Sequence, residues 1–358
     1  MAPTSFVRED LRILGDAYDL QTFAFRARSG FPRKHVTLLS ERARLATWLN
    51  AELPKTSAAF GWFADYHTSP LAVQAQRRGI PSAIVIGGYD AMRVPEQGHG
   101  VYSSWWRAPL ARRASATASV LLPVADALVR TQNPFLAAGS QEQGLDVFAP
   151  NHAPTCTVPT GYDPDQWPLG PAERSPRVLT VGIIDSGKRV WIKGIDLVLE
   201  AARRLPEVPF EIVGVPHGDL SRLGLEAPPN VECHPPVERG ALVDAYQRAS
   251  VYLQLSRVEG MPNVLCEAML CGAVPVGTEV FGIPAAIGSA GWTVPAPDVS
   301  LITERIQSAL AASPPARQAA RDYIAATFPL SRRRRALRGL LDGLMDGESP
   351  ESVIGELA

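Results

Sequence analysis

From residue 37 onward the sequence alternates apolar segments of strand length with longer segments of helical period, and Gly, Pro, Asp or Asn mark the joints. That alternation is the pattern of βαβ units and confines the chain to an α/β architecture built on parallel sheet. The segments that read as strands are DLQTFAF, SAAFGWF, PSAIVIGG, DALVRT, RVLTVG, FEIVGV, VYLQLS and AVPVGT, with helical patterns over 37–53, 69–78, 104–122, 194–205, 238–249 and 262–270. A chain of 358 residues is long enough for two domains that each bury a core. Residues 159–176 hold five prolines and little periodicity, so they read as an interdomain linker. The expected domains are therefore 1–160 and 161–330, with 331–358 a C-terminal helix and tail packing back on the first domain. One feature at the start is anomalous: Thr4 or Ser5 can cap a helix over FVREDLRILGDAYD, but no strand precedes it, although a doubly wound domain normally begins with one. Either the start lies upstream or the first domain lacks a strand.

Hydrophobic residues make up 46% and charged residues 20% of the chain, and the formal net charge is -1. This excludes a nucleic-acid-binding charge signature, and no segment is long and apolar enough to span a bilayer. The N-terminus has acidic residues by position 9 and no apolar h-region, so no signal peptide is expected and a cytoplasmic location follows. Cys156, Cys233, Cys266 and Cys271 show neither a CxxC pair nor nearby histidines, which reads as buried, inert thiols rather than a disulfide framework or zinc site. In SRRRRALRGLLDGLMDGE, Leu337, Leu340, Leu341 and Leu344 recur at helical spacing behind four arginines. A solvated helix end is the plain reading, and a peripheral membrane contact, on the inner face of the membrane, is the alternative.

The segment SRVEGMPNVLCEAM concentrates the chemistry. The strand VYLQLS leaves through SRVEG, and Pro262 offers the fixed φ suited to a first helical position, with Met261 as the cap residue. The amides of Asn263, Val264 and Leu265 then become first-turn donors backed by the helix dipole, a natural seat for phosphate. Gly260 allows a ligand to approach the backbone closely. Glu259 lies before the helix and Glu267 inside it, with seven residues between them, so both carboxylates can face one ligand. Ionised carboxylates accept from vicinal diols, and two diols flanking a diphosphate describe a nucleotide-sugar. The bland alternative is a pair of solvated glutamates near a helix start.

The segment resembles the E-x7-E motif of retaining glycosyltransferases of the GT-B fold, above all those of family 4, the glycosyl transferases group 1. The following AMLCGAVPVGTEVFGIPAAIGSAGWTV matches that family's helix, small-residue turn, strand, Gly-x-Pro loop and terminal Gly. VGIIDSGKRVWIKGIDLVLEAARRLPEVPFEIVG looks like its lysine-glycine segment, and ADALVRTQNPFLAAG with VPTGYDPDQWP looks like its domain junction. The similarity runs over roughly 124–330; before that only the general pattern and GGYDAMRVPEQGHG are similar to some members. The resemblance implies two Rossmann-like doubly wound domains facing each other across a cleft. It implies transfer of a hexose from a nucleotide-sugar to a hydroxyl acceptor, with retention and without a metal or other cofactor. It places Glu259 on hydroxyls of the transferred sugar, Glu267 on the ribose, and Lys193, before Gly194, on the donor diphosphate. It puts Gly260, Met261, Pro262, Asn263 and Val264 along the donor. Many members carry an arginine after the V-G that ends the domain's first strand, whereas this chain has Ile183. Lys188 or Arg189 in a longer loop is then expected to supply the second positive charge. Acceptor recognition falls to the N-terminal domain, where His67 and Asp90 follow strands; saccharide, lipid-linked and small-molecule acceptors all stay open.

Two decoys accompany these motifs. VLTVGIIDSGKR contains G-x-x-x-x-G-K after a strand, but Arg189 stands where a Ser or Thr would coordinate magnesium, and no helix is expected to begin at the lysine because VWIKG intervenes. Asp163 and Asp165 form a D-x-D, but Pro164 between them argues for a turn rather than a metal site. Two rival functions remain: a catalytically weak nucleotide-sugar-binding or scaffold protein descended from a transferase, and a sugar-nucleotide epimerase of the same fold.

Overall fold

The computed structural model describes residues 5–25 and 33–357, and they divide into two units. The first comprises Met1–Arg130, Gln143–Thr160 and Ser331–Ala358, and the second Thr131–Glu142 and Gly161–Leu330. In chain order the first unit holds α1 (Ser5–Gly15), α2 (Arg33–Glu52), β1 (Ala59–Trp62), α3 (Ser69–Arg77), β2 (Ser82–Ile86), α4 (Ala108–Thr117) and β3 (Val120–Pro123). A two-residue ribbon, β4 (Thr131–Gln132) with β5 (Glu142–Gln143), and a short helix α5 (Leu145–Phe148) follow. The second unit then runs β6 (Val178–Val181), α6 (Gly187–Lys193), α7 (Ile195–Arg204), β7 (Phe210–Val213), β8 (Val231–His234), α8 (Arg239–Arg248) and β9 (Val251–Gln254). It continues with α9 (Asn263–Leu270), β10 (Val274–Thr278), α10 (Ile283–Ile287), β11 (Trp292–Val294), α11 (Val299–Leu310) and α12 (Pro314–Thr327). The chain ends in α13 (Leu330–Met345) and α14 (Pro350–Leu357).

In the first unit β1, β2 and β3 form a three-stranded parallel sheet in sequential order. Among the described residues no strand precedes β1. DLQTFAF, expected to be a strand, has no ladder partner: Phe23 and Phe25 instead pack with Trp48 against Leu45, Leu49 and Leu53, so their alternation serves packing rather than pairing. The helix expected over 104–122 ends at Thr117, and VLLP behind it is the fully buried strand β3. DALVRT is largely a 3-10 turn, Asp126–Leu128. Of the proposed cap residues, Thr4 lies outside the described residues, and Ser5 is already the first residue of α1.

The last helices close the first unit. Leu337 and Leu340 are fully buried and Leu341 and Leu344 nearly so, which removes the leucine face of 331–345 as a membrane-contacting surface. Arg333, also buried, donates to both carboxylate oxygens of Asp10 at 2.6 and 2.6 Å and to the carbonyls of Val158 (2.7 Å) and Pro159 (2.9 Å). Trp62 Nε1 donates to Asp10 Oδ2 at 2.9 Å, tying β1 to the same carboxylate. No helix among the described residues is long and apolar enough to cross a membrane.

In the second unit six strands pair in parallel in the order β11-β10-β9-β6-β7-β8. Strand order reverses between β6 and β9, so a switch-point crevice opens beyond their carboxyl ends, where doubly wound sheets bind ligands. The strands are short and apolar because helices cover both faces; β6, β7, β9 and β10 are buried along their whole lengths. Residues 161–176 are not a free linker: Arg174 donates to the carbonyls of Ala249 (2.5 Å) and Cys271 (2.6 Å), and Trp167 is buried, so this irregular stretch is strapped to the second unit.

Candidate functional site

The loops leaving β6 and β9 meet at the switch point. Gly194 caps α6 with φ 65°, and a Cβ there would fall 2.0 Å from Leu255 O, so only glycine lets the α6–α7 corner rest on the exit of β9. That contact brings Lys193, the last residue of α6, to the chain that follows β9, and its Nζ donates to Glu259 Oε2 at 2.5 Å. Both side chains keep access to solvent, at 17% and 19% exposure.

A second clamp holds the same corner. Arg257 donates in a bidentate pair to Asp196 at 2.7 and 2.6 Å and to Trp191 O at 2.9 Å, while its own amide donates to Ile192 O at 2.9 Å. Planar guanidinium geometry suits this fork, which a lysine would not reproduce. Buried Asn133 completes the clamp by donating from Nδ2 to Arg257 O at 2.8 Å. Sequence reading passed over all three residues. The signal for two of them was present, because Arg257 stands two residues before Glu259 and Asp196 two after Gly194.

The helix start differs by one residue from the expectation. Pro262 is the N-cap rather than the first helical residue, with φ −80° and ψ 92°, and its carbonyl already accepts from Leu265 (3.1 Å) and Cys266 (3.2 Å). An extended ψ keeps proline outside the helix, where its missing N–H costs nothing. The Leu265 amide is therefore consumed, and among the described residues the amides of Asn263 and Val264 are left as first-turn donors. Met261 is buried before the cap, and Gly260 accepts through its carbonyl from the Gly282 amide at 3.0 Å.

Glu267 sits inside α9, partly exposed, with Oε2 accepting from Tyr246 Oη at 3.0 Å. Burial pushes its carboxyl up to about 7, against the opposing pull of the Tyr246 bond and the Arg239 charge. A carboxyl with a raised pKa binds a proton that the unfolded chain releases, so this group's contribution to stability falls as pH rises from its ordinary value to about 7. A ribose diol at Glu267, the role the family resemblance implies, would need the ionised form as acceptor. Thermal stabilisation by a nucleotide-sugar is thus expected to grow between about pH 6 and 8, and Glu267→Gln to flatten that rise. Glu267→Ala is expected to weaken donor binding by about 1.5–3 kcal/mol, the scale of a hydrogen bond to a charged group. Titration calorimetry checks it, and unchanged affinity in a folded variant would remove Glu267 from the site.

Lys188 and Arg189 stand on the exposed first turn of α6 rather than in an extended loop. Ser186 caps that helix, accepting from the Arg189 amide at 3.4 Å. A helix does begin beside Lys188, contrary to the sequence reading. The loop before it is nonetheless no phosphate cradle, since the Gly182 and Ile184 amides donate to Val213 O (3.0 Å) and Gly214 O (2.9 Å). Ile183 is 51% exposed. Burial, followed by the neighbouring Arg189 charge, pulls the Lys188 ammonium below its ordinary pKa.

The two candidates in the first unit are occupied by backbone. Asp90 is fully buried: Oδ1 accepts from the amides of Gly87 (3.0 Å) and Gly88 (2.9 Å) and Oδ2 from Ala64 (2.9 Å). It therefore ties the loops after β1 and β2 together instead of facing a ligand, and burial raises its carboxyl to about 7. His67 Nε2 lies 2.9 Å from Trp62 O, and its ring packs edge-on to Phe25 and Tyr66; burial lowers its pKa and favours the neutral ring. In the D-x-D, Asp163 Oδ1 accepts from the Asp165 amide at 3.1 Å, closing a turn. Among the described residues no group of three or more His, Cys, Asp or Glu is placed to hold a metal ion. The four cysteines are free.

Residues 175–312, which span the second unit's sheet, match the family model described as Glycosyl transferases group 1. A D-inositol 3-phosphate glycosyltransferase of Mycobacterium sp. (strain KMS) is 31% identical over 199 residues, covering 51% of this chain and 41% of the relative. One from Geodermatophilus obscurus is 28% identical over 202 residues, covering 49% and 44%. The chain thus aligns with less than half the length of these curated relatives. Among solved structures, sucrose-phosphate synthase from Thermosynechococcus elongatus superposes with a TM-score of 0.68 at 17% identity, covering 90% of this chain and 83% of that one. HepE of Anabaena, solved with UDP and glucose, gives 0.59 at 15% identity, covering 77% and 76%. Trehalose 6-phosphate synthase from Burkholderia multivorans gives 0.60 at 17% identity, covering 96% and 80%. These likenesses show the fold, the α/β GT-B fold of glycosyltransferases.

Proposed function

We propose that the chain is a retaining glycosyltransferase that moves a hexose from a nucleotide-sugar, held by its second unit, to a hydroxyl acceptor. The observation that carries this reading is the meeting of Lys193 and Glu259 at the switch point, at the foot of the helix that bears Glu267. In this reading the amides of Asn263 and Val264 and the Lys193 ammonium receive the diphosphate. Gly260, Met261 and Pro262 shape the approach, Glu259 accepts from hydroxyls of the transferred sugar, and Glu267 from the ribose. Lys188 and Arg189 add positive charge from the first turn of α6.

As the glycosidic bond breaks, negative charge grows on the leaving diphosphate, and a fixed ammonium stabilises that charge more than the ground state. Retention then follows from front-face attack, the leaving phosphate assisting deprotonation of the acceptor hydroxyl. No side-chain nucleophile and no metal takes part. A neighbour studied for transfer with retention, trehalose-6-phosphate synthase, superposes at a TM-score of 0.58. HepE bound to UDP-glucose makes a UDP-sugar the first donor to test. The names of the curated relatives make a cyclitol phosphate the first acceptor.

Melting the protein with a panel of UDP-, GDP- and ADP-sugars tests the donor site. A ligand at about a hundred times its Kd stabilises the folded state by about 2.7 kcal/mol. A selective rise in Tm is expected, and no rise with any compound would sink the reading. The anomeric configuration of the product, read by NMR, then tests retention, and EDTA tests metal independence. The exposed Ile183, standing where many members of the family carry an arginine, favours one second reading: a nucleotide-sugar-binding protein that binds donor without transfer or hydrolysis.

A further inference from the structure

We infer that the carboxyl edge of the first unit's sheet carries a saccharide-stacking platform, built by Tyr66, Tyr89 and Trp106 around Arg107, which takes the C–H face of a pyranose. As an acceptor subsite it rests on the transferase reading; as a binding site it stands without it. Parallel sheets of this kind bind ligands beyond the carboxyl ends of their strands. At that edge the chain leaving β1 is strained, for Phe63 lies at φ 67°, a conformation an aromatic residue rarely adopts. Glycine after β2 gives the Phe63 ring its room: a Cβ at Gly87 would fall 2.4 Å from Phe63 Cε1.

Past this turn the rings gather around one guanidinium. Arg107 forms a fork with buried Asp65, Nε donating to Oδ1 at 3.0 Å and Nη2 to Oδ2, and Nη1 donates to Tyr89 Oη at 2.9 Å. Its guanidinium carbon lies 4.9 Å from the centre of the Tyr89 ring, 5.5 Å from that of Tyr66 and 6.0 Å from that of Trp106. Tyr66 and Trp106 are themselves 5.6 Å apart and tilted by 44°.

Asp65 neutralises Arg107, so the cation serves to hold rings in place rather than to receive an anion. All three rings stay partly exposed, and the adjoining Trp105 is 88% exposed, so the cluster keeps aromatic surface at solvent. An aromatic face carries a negative quadrupole that attracts partially positive axial C–H groups, and tyrosine and tryptophan add polar edges for hydroxyls. A pyranose with equatorial hydroxyls presents both features at once.

Saturation-transfer NMR on the full chain with methyl β-D-glucopyranoside tests this, with sorbitol as an acyclic polyol control and phenol as an aromatic one. The axial ring protons of the glucoside are expected to saturate, and sorbitol to give no comparable signal. Trp106→Ala is expected to weaken glucoside binding by about tenfold and Trp106→Phe by about threefold or less, in line with the strength of ring stacking. Equal signals from sorbitol and glucoside, an unchanged signal in folded Trp106→Ala, or saturation of phenol alone would overturn the inference. The wild-type comparison of glucoside with sorbitol decides the matter even if a variant fails to fold. Glucoside binding without transfer from any nucleotide-sugar would leave the platform standing and sink the transferase reading. Transfer with an acceptor KM indifferent to Trp106→Ala would do the reverse.

Discussion

Lys193→Ala is expected to lower kcat by about 10²–10³-fold, the usual effect of removing one group aimed at charge that develops in the transition state. Donor affinity should fall far less, because the diphosphate is already partly neutralised by the helix start and by its own solvation when bound in the ground state. The expectation rests on position: Lys193 is the last residue of α6, its backbone pinned by the approach of Gly194 to Leu255, and its ammonium already aimed at the strand exit through Glu259 at 2.5 Å. Removing the lysine also leaves Glu259 unpaired, and Glu259 is itself assigned to the transferred sugar, so Glu259→Gln alone and combined with Lys193→Ala closes a double-variant cycle that separates the effects. A rate loss on removing Lys193 that is as large in the Glu259→Gln background as in the wild type belongs to the ammonium. Transient kinetics with donor Kd measured separately gives the comparison. Equal losses in kcat and affinity would reduce Lys193 to an anchor for the diphosphate.

Arg333→Ala is expected to cost the first unit about 3–5 kcal/mol, the range for breaking a buried ion pair from one side. Asp10 and Arg333 are 1% and 3% exposed, and the guanidinium satisfies two carbonyls besides the carboxylate. The variant would leave the Asp10 carboxylate with the Trp62 indole N–H and deprive the carbonyls of Val158 and Pro159 of the guanidinium. Urea unfolding followed by tryptophan fluorescence measures the loss. Asp10→Leu combined with Arg333→Met should recover most of it, since a packed apolar pair of similar volume carries no unpaired charge. A loss below about 1 kcal/mol in Arg333→Ala would mean the pair behaves as a surface salt bridge and does not hold α13 to the sheet.

Much of the second unit was legible before any coordinates. The strands β6, β7, β9 and β10 fall within apolar runs bounded by Gly, Pro or polar residues, the two glutamates carry a spacing that local geometry interprets, and Lys193 before Gly194 was marked by the family resemblance. The first unit was less so. VLLP follows a helical pattern with no Gly or Pro to break it, so a buried strand merged with the helix before it. DLQTFAF alternates like a strand because Phe23 and Phe25 pack on α2, and alternation cannot distinguish a packed face from a paired ladder. The C-terminal leucines raised the same ambiguity between a membrane surface and a protein core, and burial decided for the core.

Periodicity, turn chemistry and motif spacing act over a few residues, so the sequence by itself determined the βαβ order and the helix that bears Glu267, while Lys193 before Gly194 was marked by the family resemblance. What consumes a polar group is a long-range matter, because desolvation and hydrogen bonding depend on which distant segment fills the space around it. Only the tertiary structure could show that Asp90 is spent on three amides, that Arg257 is locked to Asp196, and that Arg333 closes on Asp10 from the far end of the chain. For the same reason it alone revealed Tyr66, Tyr89 and Trp106 around one neutralised guanidinium, since rings from three loops meet only when β1 and β2 lie side by side.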